Sequence, residues 1–405
     1  MHSPLQPDNS ANNELSIGGI RVGDLARRVG STPFYAYDRS MVTERIVRIR
    51  KAMPEAVKIH YAVKANPMYA LIHHLSGLVD GFDVASAQEL KAALDTGMPA
   101  KDISFAGPGK TDWELERAVA AGVDVSVESK SEIRRLRQVG ERMGVAPRVL
   151  VRVNPSFSIR NSGMTMAGGA KQFGIDEEQC QSAFAMIGEA GMVARGVQVF
   201  WGSQNLHAGS IASAQRETLA IVGRLSRAAG IAFEVVNIGG GYGVPYSPGS
   251  EELDLEEVGR CLAESLEQHL PALGEPEVVI ELGRYITAEA GFYVCKVIDV
   301  KTSRGQKYVV TDGGLHHHLS ASGNFGQSIR KNFPIRLAAE GIGGEPEEVH
   351  VVGCLCTPID LLGHKVLLPR VQEGDLLVVL QSGAYGPSAS PVNFISHPHP
   401  VEVVV

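Results

Sequence analysis

The chain has 405 residues, 44% of them hydrophobic and 20% charged, with a formal net charge of −7 at pH 7. That length suggests two or three domains, or a barrel of about 250 residues with a second domain beside it. The acidic balance argues against a general nucleic-acid surface, and no run of about 18 apolar residues marks a membrane span.

In chain order, Met1 to Asn12 are polar, carry no apolar signal-peptide core and read as a disordered leader. Phe34–Tyr37 is expected to be a strand that packs with the C-terminal part of the chain. From about residue 58 one rhythm repeats: a short β-rich run, a glycine or polar turn, then an amphipathic stretch. The runs are Lys58–Lys64, Gly81–Ala85, Ile103–Ala106, Val123–Val127, Arg148–Val153, Gly196–Trp201, Glu234–Ile238 and Val278–Glu281. Between them, segments such as Ser86–Asp95, Asp112–Ala121 and Ser131–Met143 carry apolar residues at helical spacing. Strands alternating with helices imply a parallel sheet covered by helices, and eight such strands close a (β/α)8 barrel. An open doubly wound sheet is the alternative.

After Arg284 the rhythm changes. Phe292–Lys301, Lys307–Thr311, Glu347–Val352, Asp375–Gln381 and Pro400–Val405 are short β runs without regular helices between them, which reads as an antiparallel β-domain. The expected organisation is a leader and strand over 1–37, a (β/α)8 barrel over 38–284 and a C-terminal antiparallel β-domain over 285–405 that takes in the N-terminal segment. The five cysteines, Cys180, Cys261, Cys295, Cys354 and Cys356, are scattered and odd in number. They fit a reducing cytoplasm better than a disulfide framework.

Catalytic groups of a (β/α)8 barrel sit at the C-terminal ends of its strands. Lys64 ends the first run. A partly buried lysine loses its proton more readily and becomes a nucleophile toward carbonyls; the bland alternative is a lysine snorkelling out of a strand end. Gly239, Gly240 and Gly241 end the seventh run. Adjacent glycines let backbone N–H groups close on a phosphate, and barrels often bind phosphate after strands seven and eight, although tight turns also use glycine. Glu281 and Arg284 end the eighth run. They are either a weak surface pair or a carboxylate for a ring nitrogen and a guanidinium for a phosphate.

Five motifs then occur in order: Tyr-Ala-Val-Lys-Ala-Asn-Pro at 61–67, Phe-Asp-Val-Ala-Ser at 82–86, Gly-Gly-Gly-Tyr at 239–242, Glu-Leu-Gly-Arg at 281–284 and Gly-Ala-Tyr-Gly at 383–386. Together they resemble the fold-type III pyridoxal-phosphate decarboxylases, which include the diaminopimelate, ornithine and arginine decarboxylases. The resemblance runs from about Thr32 to about Pro400. It implies pyridoxal 5'-phosphate as cofactor, held by Lys64 as a Schiff base, with Glu281 keeping the ring nitrogen protonated. Ser203, Gly239 to Gly241, Arg284 and Tyr385 would hold the phosphate. Asp83, Glu89, Arg152, Phe200 and Gly283 would line the site.

The resemblance further implies that Cys356 reaches across a homodimer interface and returns a proton to the product. Thr357 and Asp360 would then face the substrate, and a monomer would be inactive. A buried, inert cysteine is the competing reading.

Three positions depart from the family pattern. Phe200 stands where a histidine usually lies over the cofactor ring; an aromatic face can stack there but offers no charge. His207 lies too far along to replace it and reads as a loop residue. Thr357 stands where relatives that bind a distal amine carry an acid. Ser320 sits near the place of the arginine that holds the far carboxylate of diaminopimelate. A buried polar group without its partner costs about 1–3 kcal/mol, so diaminopimelate and ornithine are poor substrates for such a site.

The chain looks most like a subgroup linked to exosortase and exopolysaccharide loci or acting on carrier-protein-tethered amino acids. The substrate is accordingly a free amino acid or one presented on a carrier. Consecutive histidines on a strand point to opposite faces, so His316, His317 and His318 are not expected to ligate a metal together. Arg330, after Asn324, reads as a solvated charge. Competing functions are diaminopimelate decarboxylase proper, a racemase, and a cofactor-binding relative without catalysis. Glu281 disfavours the racemase, whose ring nitrogen typically meets arginine; the second β-domain and Cys356 together disfavour a regulatory cofactor-binding protein, while Phe200 leaves open a catalytically idle relative of the decarboxylases.

Overall fold

Residues 14–156, 164–247, 249–323, 325, 331–339 and 345–405 are described by a computed structural model. The leader, Asn324 and Arg330 lie outside the described residues. The chain divides into two compact units: Arg45–Gly243 with Glu252–Tyr285, and Met1–Glu44 with Val244–Glu251 and Ile286–Val405.

In the first unit eight parallel strands close on themselves. They are β1 (Val57–Ala62), β2 (Gly81–Val84), β3 (Ile103–Phe105), β4 (Asp124–Val127), β5 (Arg148–Asn154), β6 (Val193–Gln198), β7 (Val235–Gly240) and β8 (Glu277–Leu282). Each pairs with the next in parallel register, and β8 pairs with β1 through Glu281↔His60 and Leu282↔Tyr61. The expected barrel is therefore closed, and the open-sheet alternative fails because no edge is left between β8 and β1. Valine or isoleucine occurs in every one of these strands, and Leu150, Val235 and Val279 from β5, β7 and β8 form a buried cluster.

Helices return the chain between strands, and three of the turns use one device. Ser86, Thr111 and Ser129 are N-caps whose side chains accept from the backbone N–H of Glu89, Glu114 and Glu132. Each glutamate reaches back to an amide at the helix entry: Ala85 at 2.7 Å, Thr111 at 2.9 Å and Glu128 at 2.7 Å. Such reciprocal caps satisfy donors that a helix start leaves orphaned. They also fix where each strand end stops. Among the described residues, no helix is long and apolar enough to cross a membrane.

The second unit is a mostly antiparallel sheet of β9 (Gly291–Ser303), β10 (Gln306–Thr311), β11 (Ile335–Leu337), β12 (Glu347–Val352), β13 (Leu361–Leu368), β14 (Leu376–Val379) and β15 (Val401–Val404). Their order is β11-β14-β9-β10-β12-β13. The N-terminal strand Phe34–Tyr37 joins it, antiparallel to β9 and parallel to β15. β10 and β12 also pair in parallel. The core gathers Leu15, Val22, Phe34, Phe292, Val294 and Val378, among others. β11 and β13 had no counterpart in the expected runs. β11 is only three residues long, and β13 contains Gly363 and a left-handed Lys365 that break the alternation.

Candidate active site

β1 ends at Ala62, and a single 3-10 turn, Val63–Ala65, carries Lys64. The Tyr61 hydroxyl donates to the Asn66 carbonyl at 2.9 Å and the Asn66 side chain accepts from Met68 N at 3.0 Å. The turn is thus held from both sides. The Lys64 side chain is 40% exposed, and Nζ stands 3.3 Å from Oδ2 of Asp83, whose side chain is 1% exposed. Asp83 Oδ1 accepts from Ser104 Oγ at 3.1 Å. Lys64 Nζ also lies 5.7 Å from the centroid of the Phe200 ring, within range of a cation–π contact. Glu89 is close enough for the charges of Lys64 and Asp83 to act on it, and burial raises its carboxyl above the ordinary range.

Glu281 lies on β8, 3% exposed. Its Oε1 accepts from Asn237 Nδ2 at 2.5 Å and from Gln198 Nε2, donors on β7 and β6. Burial, followed by the charge of Asp83, pushes the carboxyl up to about 7. A carboxyl poised in this way takes or gives a proton readily near neutrality.

The glycine triplet packs against the segment that follows β6. A Cβ on Gly239 would lie 2.4 Å from the Val199 carbonyl oxygen, and one on Gly241 would lie 1.9 Å from that of Gly202 and 3.5 Å from Ser203 Cα. A Cβ on Gly240 would overlap the Glu281 carbonyl at 1.8 Å. Only glycine allows this approach, and Gly241 additionally takes φ +80°. Gly283 serves the same end at the next strand: a Cβ there would meet the Ala65 Cβ at 2.7 Å. The Arg284 turn therefore sits against the Lys64 turn.

Arg152, on β5, is paired through Nη1 with Glu128 Oε1 at 2.8 Å and lies 4.9 Å from the Phe173 ring centroid. Glu128 also accepts from the amides of Gly107 at 2.7 Å and Gly174 at 3.1 Å. Beside it, Lys110 and Glu132 form a buried pair at 3.0 Å.

The remaining expected site residues belong to the other unit. Cys356 is exposed and Thr357 half-buried. Asp360 is 3% exposed, and its two carboxylate oxygens accept from Leu315 N at 2.7 Å and Leu355 N at 2.8 Å. It thereby ties the turn after β10 to the loop that carries Cys356. Tyr385 is half-buried with φ +54°, and its carbonyl accepts from Ser320 Oγ at 3.0 Å. Two expectations need correction: Asp360, buried with both oxygens taken by backbone amides, holds the Cys356 loop rather than facing the substrate, and the histidine run is not on a strand. His316, His317 and His318 lie in a turn after β10 and not on a strand, so they do not alternate between two faces, and all three are buried.

Reading the sequence missed Gln198 and Asn237, which hold Glu281, and the Glu128–Arg152 pair with its Lys110–Glu132 neighbour. The available signal was a polar residue inside an otherwise apolar strand: Val-Gln-Val at 197–199 and Val-Asn-Ile at 236–238.

The donor set on the barrel strand ends fits pyridoxal phosphate: an amine, a dry carboxyl on the adjacent strand, and a glycine cradle beside a hydroxyl. Comparison with known proteins agrees. Residues 39–288 match the family model described as pyridoxal-dependent decarboxylase, pyridoxal binding domain. The chain is similar to the L-glutamyl-[BtrI acyl-carrier protein] decarboxylase of Niallia circulans, 35% identical over 396 residues, which cover 96% of this chain and 92% of that protein. It is 29% identical to the diaminopimelate decarboxylase of Thermoplasma acidophilum over 391 residues, 96% of this chain and 91% of that one. The crystal structure of diaminopimelate decarboxylase from M. jannaschii with L-lysine superposes with a TM-score of 0.90 at 26% identity, covering 98% of this chain and 92% of that one. With an amine, a buried acid and a glycine cradle on its barrel strand ends and a match across its whole barrel, this chain belongs to the pyridoxal-dependent decarboxylases.

Proposed function

We propose that the protein removes a carboxylate from an amino acid tethered to a carrier protein, working as a homodimer in the cytoplasm. The observation that carries the chemistry is the convergence of Lys64, Asp83 and Glu281 on the ends of the neighbouring strands β1, β2 and β8. Two features favour a tethered substrate. The relative at 35% identity is named for a carrier-bound glutamyl group, and by the family resemblance Thr357 and Ser320 replace the groups that relatives would use for a distal amine or carboxylate.

When bound, pyridoxal phosphate supplies a cationic conjugated ring that takes up the electron pair left by departing CO2. Lys64 Nζ is the amine that would bind the cofactor's aldehyde, and Asp83 Oδ2, 3.3 Å away, orients it. Glu281, aimed by Gln198 and Asn237 and held away from water, keeps a proton at the ring nitrogen. Ser203, Gly239 to Gly241 and Arg284 would hold the phosphate, and Tyr385 is the further residue that the family resemblance implies for it. Phe200, where the family resemblance expects a histidine, would present its ring to the cofactor, and with Arg152 and Gly283 it would line the site. Cys356 of the partner subunit holds at Sγ the proton that returns to the reacting carbon. Asp360 sets the loop on which Cys356 and Thr357 sit.

The substrate is tested by CO2 release from aminoacyl carrier proteins compared with free amino acids, meso-diaminopimelate among them. Release from the carrier-bound form alone is expected; release from free diaminopimelate at comparable kcat/KM would remove the tethered reading. The shared site is tested by mixing Lys64→Ala and Cys356→Ala proteins. Random exchange in a homodimer with composite sites restores about a quarter of full activity. No recovery over the two proteins measured apart would reject a site completed by the partner.

A further inference from the structure

We propose that His316, Cys354 and His397 form a binding site for a zinc-class transition-metal ion that fixes the loop carrying Cys356. Their ligand atoms lie within 4.8 Å of one another. Cys354 Sγ and His397 Nε2 are 3.7 Å apart. A tetrahedral zinc ion, with bonds of about 2.3 Å to sulfur and about 2.0 Å to nitrogen, sets sulfur and nitrogen about 3.5 Å apart. That pair already stands near coordination distance, and the third atom has about 1 Å to travel.

His316 supplies the independent observation. Its side chain is fully buried, yet among the described residues neither ring nitrogen has a hydrogen-bond partner. The adjacent histidines differ. His317 pairs through Nδ1 with the Tyr293 hydroxyl at 3.2 Å and through Nε2 with the Pro398 carbonyl at 2.8 Å. His318 pairs through Nε2 with Ser382 Oγ at 2.9 Å and accepts at Nδ1 from Ala321 N at 3.3 Å. Buried polar atoms in folded proteins are almost always satisfied, so an imidazole left open on both sides and facing a thiol and a second imidazole calls for a ligand. Of the three histidines, His316 alone keeps its nitrogens available.

The chemistry of the set names the ion. Imidazole ligates in its neutral form, and the buried His316 ring leaves both nitrogens open among the described residues. The Cys354 thiol donates its proton toward the Asp312 carbonyl at 3.6 Å. A bound cation displaces that proton to solvent and leaves a thiolate. One thiolate and two imidazoles suit zinc over magnesium or calcium, which take oxygen ligands. Three protein ligands leave a fourth position open. Asp360 already ties the His316 turn to the Cys354 loop; the ion would add the His397 segment and hold Cys356, two residues beyond Cys354, in one place.

The test uses holoenzyme stripped with chelator and titrated with Co2+, read as difference spectra against the metal-free holoenzyme. One equivalent per chain is expected, with a thiolate-to-cobalt band that Zn2+ displaces. The band should vanish in Cys354→Ser and in His397→Gln and persist in Cys261→Ser. A second measurement needs no variant: zinc should shield Cys354 from alkylation while Cys261, on the helix Leu255–Leu273, keeps its reactivity, both read by peptide mass. Absence of a thiolate band, a band that survives Cys354→Ser, or equal alkylation of Cys354 with and without zinc would each overturn the site.

Discussion

Asn237 Nδ2 donates to Glu281 Oε1 across 2.5 Å, from one barrel strand to the next, with both side chains almost fully buried. Gln198 adds a second donor to the same oxygen from the strand beyond. These bonds favour the charged carboxylate, while burial and the Asp83 charge oppose it more strongly. The outcome is a fixed acid that is easily protonated until a cation stands in front of it.

This has a consequence for stability in the cofactor-free protein. Glu281 holds its proton up to about pH 7, against an ordinary 4.5, so between those values the native chain carries a proton that the unfolded chain has lost. Stability should therefore fall as pH rises through that window, by at most about 3 kcal/mol at 1.36 kcal/mol per unit. His60, pushed down to about 4 by burial, acts in the opposite sense and gains stability as pH rises. The comparison that isolates Glu281 is the urea midpoint of Glu281→Gln against the unsubstituted protein from pH 4.5 to 7.5. Their difference should change with pH; parallel curves would remove the buried acid from the explanation.

The same substitution should affect turnover more than binding. Glutamine fits the space and keeps hydrogen-bonding capacity but offers no anion to a ring nitrogen. A loss of about 10²–10³-fold in kcat is expected, the range for removing one group that stabilises developing charge. The cofactor's absorbance should remain. A variant within threefold of full kcat would place the electron sink's control elsewhere.

Much of the barrel was legible because its strands are apolar runs closed by glycine or capping residues, as at Gly239 and Ser86. Closure itself was not, since the Glu281↔His60 register depends on residues 221 positions apart. Lys64, Glu281 and the glycine triplet stood out by motif. Gln198 and Asn237 did not, because one polar residue in a strand gives no hint of which face it takes. The histidine run lies in a turn, where the alternation of a strand does not hold and neighbours that a strand would separate are gathered.

Two glycines should respond in opposite ways. Gly240→Ala drives a Cβ into the Glu281 carbonyl, 1.8 Å away, and should cost at least about 1–3 kcal/mol together with loss of cofactor. Gly188 is exposed near the end of the helix Glu177–Glu189, and a Cβ there meets nothing within 4 Å. Gly188→Ala should stabilise by about 0.5–1 kcal/mol. Thermal melts of both variants measure the contrast.

Glu128 and Arg152 are both buried, and Glu128 also receives two backbone amides. Removing one partner leaves a charge in the dry interior, which costs about 3–5 kcal/mol. Glu128→Ala should therefore lower the urea midpoint far more than Glu141→Ala, which breaks the exposed pair with Arg137 and should change stability by about 1 kcal/mol or less.

The central claim is that Lys64 is the amine that holds the cofactor. Reducing the pyridoxal-phosphate-loaded protein with borohydride, then digesting it and mapping the modified peptide by mass, tests this directly. A single phosphopyridoxyl group on the peptide containing Lys64, absent from protein never exposed to the cofactor, is the expected result. Modification at another lysine, such as Lys110 in its buried pair with Glu132, or no modification at all, would contradict it.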